Sequence, residues 1–141
     1  MQESRGAKEA LLQFYEAFTD AVPGDMETFD RAFSHEDGLL IIGSAYQEWV
    51  DSREKGKQAW GMEGVGIEPG NPVGWEHESV AWAADRPSFV FGDARIPIRI
   101  LAVMLHEDGD YKIVNAHFSV GVPDEVAGEK AVEWSQAPPS H

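Results

Sequence analysis

Two long, largely apolar runs flank a tight-turn signal, and this feature most limits the possible folds. Arg95–His106 and Tyr111–Val120 are separated only by Glu107-Asp108-Gly109. Glycine at the end of such a turn supplies the positive φ that reversal demands, so the runs must pair as antiparallel strands. A ladder this long needs one face covered. Pro97 removes one ladder donor and predicts a bend or bulge in the first run. Upstream, Val73–Ala83 reads as one strand and Ser88–Gly92 as another, joined by a turn at Asp85-Arg86-Pro87. Leu39-Leu40-Ile41-Ile42 is a short apolar strand between Gly38 and Gly43.

The cover comes from the first third of the chain. Ala7, Leu11, Phe14, Tyr15, Phe18, Ala21 and Val22 recur at three- and four-residue spacing, which predicts an amphipathic helix over 4–22. Pro23-Gly24 ends it. Asp25 is placed to cap a second helix through 33, with Met26, Phe29 and Phe33 on its buried side. An aromatic connection, 44–51, holds Tyr46 and Trp49. Asp51 and Glu54 then have capping-box spacing for a third helix reaching about Trp60. Gly61, Gly64, Gly66 and Gly70 follow that helix rather than a strand, and no Lys-Ser/Thr comes after them. They read as a flexible connector, not a phosphate loop. The order predicts an α+β fold in which a curved antiparallel sheet wraps as a cone around N-terminal helices. With 141 residues there is room for one domain, 1–122, followed by an acidic, Pro-rich tail, 123–141, in which Trp134 is the one candidate anchor.

Charge removes several functions. Asp and Glu number 25 against 11 Lys and Arg, a net charge of −14. Such a surface repels phosphate backbones and anionic lipids, so neither nucleic acid nor membrane is expected as a partner. Solubility is the plain reading of this acidity, and a high-salt interior the sharper one. No stretch approaches a membrane span, and the mixed charges of Met1 to Lys8 do not read as a signal peptide, so a cytoplasmic location is expected. With no cysteine, thiolate chemistry and disulfides are out. His35-Glu36, His77-Glu78 and His106-Glu107 never extend to His-Glu-x-x-His, so no metal site is expected. Ser119 and His117 lie on one strand without a Gly-x-Ser-x-Gly elbow, and no dinucleotide fingerprint is present. No cofactor is expected.

Two stretches carry a resemblance. Ile41-Ile42-Gly43-Ser44-Ala45-Tyr46-Gln47-Glu48-Trp49 precedes an acidic helix start. Arg99-Ile100-Leu101-Ala102-Val103 leads through Asp108-Gly109-Asp110 to Tyr111-Lys112-Ile113-Val114-Asn115-Ala116-His117-Phe118-Ser119. Together with the element order over roughly 5–122, they resemble the SnoaL-like branch of the nuclear transport factor 2-like superfamily. The resemblance implies a cystatin-like α+β barrel, commonly a homodimer, in a superfamily of isomerases, dehydratases, cyclases and non-catalytic binding or association domains. Tyr111 stands where tryptophan is usual, Leu101 where threonine is common, and Gly56 where the third helix usually carries an apolar residue.

Register assigns the faces. A three-residue loop pairs His106 with Asp110 and sets Arg99 opposite His117, Leu101 opposite Asn115 and Val103 opposite Ile113. Ile98, Ile100, Ala102 and Met104 then share an apolar face with Val114, Ala116 and Phe118 and line the cone. Arg99, Asn115, His117 and Ser119 point outward, toward a partner subunit. A two-residue loop would mix the sets. The expected pocket is Phe14, Phe18, Phe29, Phe33, Met104 and Phe118, with Trp49 and Trp82 at the rim beside Tyr15 and Tyr46, although any of these aromatics can serve as plain core. Three functions follow: binding of a small apolar or aromatic molecule in the cone; cofactor-free isomerase, dehydratase or cyclase chemistry with Tyr46, Arg99 and His117 as acid–base candidates at the mouth; or a dimerisation module whose cone is filled by its own side chains.

Overall fold

The computed structural model describes residues 1–45 and 47–136. Strand β1 (Gln2–Glu3) leads into helix α1 (Arg5–Asp20), capped by the Ser4 hydroxyl, which accepts from the Ala7 N–H. Ala7, Leu11, Phe14, Tyr15 and Ala17 form its buried stripe, whereas Val22, expected to continue the stripe, is exposed beyond the helix end. Asp25 caps α2 (Met26–Ala32) as its sequence predicts, its side chain accepting from the N–H groups of Glu27 and Thr28. Strands β2 (Leu40–Ile42) and β3 (Trp49–Val50) precede α3 (Arg53–Ala59). The cap of α3 is Ser52 rather than Asp51. The Ser52 hydroxyl accepts from Lys55 N–H, while the Asp51 carboxylate takes the Lys55 ammonium at 2.8 Å. Arg53 ties α3 to α2. Its guanidinium lies 5.1 Å from the centre of the Phe29 ring and donates to the Asp30 carboxylate and the Ser34 carbonyl.

The glycine-rich connector is partly strand. β4 (Gly66–Glu68) pairs with β7 (Ser88–Phe91), so a segment read as loop forms one wall. The single run expected over Val73–Ala83 is a hairpin, β5 (Val73–His77) and β6 (Val80–Asp85). The reversal falls at Glu78, a non-glycine residue at φ +57°, which no Gly or Pro in the sequence announces. The Asp85-Arg86-Pro87 link does not reverse the chain. β6 and β7 both run antiparallel to β8 (Ala94–Glu107), β7 against its first residues and β6 further along, so the link is a kink between successive segments.

β8 and β9 (Asp110–Val120) form the long hairpin, but with a two-residue loop. Glu107 pairs with Asp110, and Asp108 and Gly109 both have positive φ, +51° and +88°, as a tight primed turn requires. That odd step would have swapped the faces. A bulge restores them: Met104 pairs with Ile113 and Val103 with Asn115, leaving Val114 as the extra residue. Beyond it Leu101 opposes His117 and Arg99 opposes Ser119, two places from the expected pairing. Ile98, Ile100, Ala102 and Met104 are therefore buried, while Arg99 and Leu101 are exposed.

The sheet runs β1-β5-β6-β8-β9-β2-β3, with β7 pairing to β8 and β4 off this path. It is mixed α+β, curved and unclosed, and β2 joins β9 in parallel. The core lies between α1, α2 and the concave face, built from Leu11, Phe14, Tyr15, Phe29, Phe33, Leu39, Met104 and Ile113. The segment expected as a tail carries helix α4 (Asp124–Gln136), whose residues are all exposed. No helix among the described residues is long and apolar enough to cross a membrane.

Candidate functional site

The concave side of the sheet leaves a cup of about 470 Å³ beneath the helices. α1 contributes Phe14 and Phe18, and the end of α2 contributes Phe33. Gly56, Ala59 and Trp60 come from α3 and its cap; Phe89 and Phe91 come from β7, and Phe118 from β9. Ile41, Val50, Met62 and Val65 complete the apolar wall, and the β2–β3 connection adds Gly43, Ser44, Gln47 and Glu48. Glu48 is the single ionisable group among the described lining residues.

Trp60 organises the rings. Its indole N–H donates to the Thr28 hydroxyl at 2.8 Å, both groups being buried. Its ring meets Phe33 edge-on at 5.4 Å, Phe18 at 5.7 Å and Phe29 at 5.8 Å. Phe14 lies 5.7 Å from Phe33 and 5.9 Å from Phe118, and Phe89 stacks beside Phe118 at 6.3 Å. Such edge and offset contacts fix each ring against its neighbours. Gly56, buried on α3, lets this helix pack closely against the Phe29 ring. A Cβ there would meet the Phe29 ring at 3.0 Å.

Of the eight expected pocket residues, Phe14, Phe18, Phe33 and Phe118 line the cup. Phe29 does not; it is fully buried behind Phe33, stacked on it at 4.6 Å. Met104 also belongs to the closed core, because it packs where sheet and helices touch. Trp82 is turned away by alternation. Ala81, Ala83 and Asp85 take the inner face of β6, so Trp82 stands on the outer face between Trp75 and Val103. Trp49 is 55% exposed on the edge strand β3, and its neighbour Val50 faces the cup instead.

Tyr46 lies outside the described residues. Arg99 and His117 occupy the outer face. The Arg99 guanidinium donates to the Ser119 hydroxyl at 3.1 Å, and His117 opposes Leu101 and Ile42 on its two sides. His117 and Ser119 border a second hollow beneath α4, which meets the cup at Gly43, Ser44 and Phe118. Of these three acid–base candidates, neither described residue reaches the cup.

Tyr15, expected at the rim, is buried. Its hydroxyl donates to Asp85 at 2.9 Å, and the same carboxylate accepts the N–H groups of Gly70, Asn71 and Arg86. Burial, then the hydrogen bond to Asp85 and its charge, push the Tyr15 phenol far above the usual tyrosine range. This cluster holds the kink between β6 and β7 and so aims Phe89 and Phe91. At the far end of the hairpin, burial tends to raise the Glu107 carboxyl. Hydrogen bonds from the Ser34 hydroxyl and His35 N–H outweigh it and hold the group below the usual glutamate range. Tyr111 donates its hydroxyl to Glu76 at 2.5 Å; that bond, then burial and the Glu76 charge, raise its phenol. No group of three His, Asp or Glu among the described residues could hold a metal ion.

The architecture has close structural relatives. A candidate dehydratase of the nuclear transport factor 2-like family from Streptomyces avermitilis superposes with TM-score 0.70 at 13% identity, covering 84% of this chain and 95% of its own. A candidate ketosteroid isomerase from Shewanella frigidimarina gives 0.61 at 15% identity, covering 82% and 96%. A protein of unknown function with a cystatin-like fold from Nostoc punctiforme gives 0.65 at 12% identity, covering 86% and 96%. At these identities the likeness establishes the fold alone. No curated protein sequence matches the chain. The sequence profile of the SnoaL-like domain matches residues 7–123, and this makes the chain a member of the SnoaL-like family.

Proposed function

We propose that this domain binds a small, largely apolar or aromatic molecule in its cup. The observation that carries the reading is the aromatic wall around about 470 Å³, a volume suited to a small organic guest, with Glu48 its one ionisable member among the described residues. A cup of this size argues against a cone filled by its own side chains. The isomerase or dehydratase reading needs two convergent ionisable groups, and the described wall supplies one. Titration with a neutral naphthalene-sized probe, followed by tryptophan fluorescence, tests binding. Ala59→Trp tests the place: Ala59 is exposed on α3 at the cup's edge, so a large ring there should block the cup and abolish the signal with little change in melting temperature. Undiminished binding to that variant would overturn the assignment.

We propose in addition that the sheet's outer face, with Leu101 51% exposed beside His117 and Arg99, pairs with a second copy of the chain. A light-scattering mass of one chain at micromolar concentration would refute this.

A further inference from the structure

We propose that the guest is an amphipathic organic cation, its apolar body in the cup and an ammonium head at the mouth beside Glu48. This rests on the binding reading above and narrows it. The wall holds one carboxylate and, among its described residues, no Lys, Arg or His. Glu48 is exposed, which puts its charge at the opening, whereas Phe14 and Phe33 are buried at the inner end. A guest oriented this way buries only its apolar part and keeps its charged head partly hydrated, so full desolvation of an ion is avoided.

Glu48 is held there by the backbone. Gly43 N–H donates to the Glu48 carbonyl at 2.8 Å, and the Glu48 side chain folds over Gly43, where any Cβ would collide with its carboxylate. Glycine at 43 thus leaves space for the carboxylate at the rim. The aromatic walls act in the same sense, because ring faces are electron-rich and favour a cation over an anion. An anionic guest would meet Glu48 with no cationic wall residue among the described ones to offset it. The net charge of −14 adds a long-range bias of the same sign.

The test is calorimetry at low salt with three probes sharing one body: naphthylethylammonium, naphthylethanol and naphthylacetate. The ammonium should bind about tenfold tighter than the alcohol, and the acetate weaker than either. Glu48→Gln should bring the ammonium within about twofold of the alcohol. Glu16→Gln removes the same charge from the exposed side of α1 and should keep the tenfold preference. Equal binding of ammonium and alcohol to the natural chain overturns the cation assignment while the cup remains a binding site. A preference lost equally in both variants overturns it too, because the field of the whole chain would then be responsible. If none of the three probes binds, the binding reading fails along with it.

Discussion

Asp85 is the place where a single substitution separates a carboxylate hub from an ordinary buried hydrogen bond. Four donors converge on its two oxygens: the Tyr15 hydroxyl and Gly70 N–H on Oδ2, the Asn71 and Arg86 N–H groups on Oδ1. Asp85→Ala strands all four. The Tyr15 hydroxyl, on a residue 2% exposed, has no recourse to water and costs about 1–3 kcal/mol; the loop donors belong to exposed residues and recover part of theirs from water. The sum is about 3–4 kcal/mol.

Tyr15→Phe removes one donor and leaves the carboxylate with three, so about 1–1.5 kcal/mol is expected. Asp85→Asn keeps the shape but turns one oxygen into an NH₂ group facing donors, and falls between, at about 2 kcal/mol. Urea unfolding followed by tryptophan fluorescence gives each value. The double variant Tyr15→Phe with Asp85→Ala is the decisive member. Because phenylalanine deletes the hydroxyl that alanine strands, the pair should be less destabilised than the sum by about 1 kcal/mol. Strict additivity, or Tyr15→Phe costing as much as Asp85→Ala, would refute the hub.

Thr28→Val leaves the buried Trp60 indole N–H without its acceptor. It should cost about 1–2 kcal/mol and shift tryptophan emission; an unchanged spectrum would show that the ring is held by its neighbours alone. Glu107 has a folded-state value below its unfolded one, so it stabilises the domain above the ordinary glutamate range and loses that contribution as pH falls through the folded value. The stability gap between the natural chain and Glu107→Gln, measured by urea unfolding, should therefore be full at pH 7 and shrink towards pH 3. A gap independent of pH would contradict the Ser34 and His35 hydrogen bonds as its source.

Where a fold decision rested on local chemistry, it could be read from the residues. The stripe Ala7, Leu11, Phe14, Tyr15 specifies a helix whatever lies around it, Asp25 caps its own neighbours, and Gly109 turns the chain by its own φ. The reversal at Glu78 was hidden because a non-glycine residue there accepts positive φ under pairing imposed by β5 and β6. The site divides the same way. Phe14, Phe18, Phe33 and Phe118 follow from periodicity, as inward positions of helix or strand. Trp60 does not, because its place depends on Thr28, 32 residues earlier. Phe89 and Phe91 alternate visibly with Val90, but their aim into the cup is set by the Asp85 kink. Glu48 escaped because hydrophobic sorting assigns charged residues to solvent, and only the space over Gly43 brings this one to the rim.

The offset at Val114 constrains how this hairpin can evolve. A single-residue deletion on the β9 arm between turn and offset, with the offset kept, would turn the far half of that strand inside out, sending Ala116 and Phe118 to water and His117 into the fold. Relatives of this chain should therefore differ in hairpin length by even steps, or by one residue only when the offset is gained or lost in the same change.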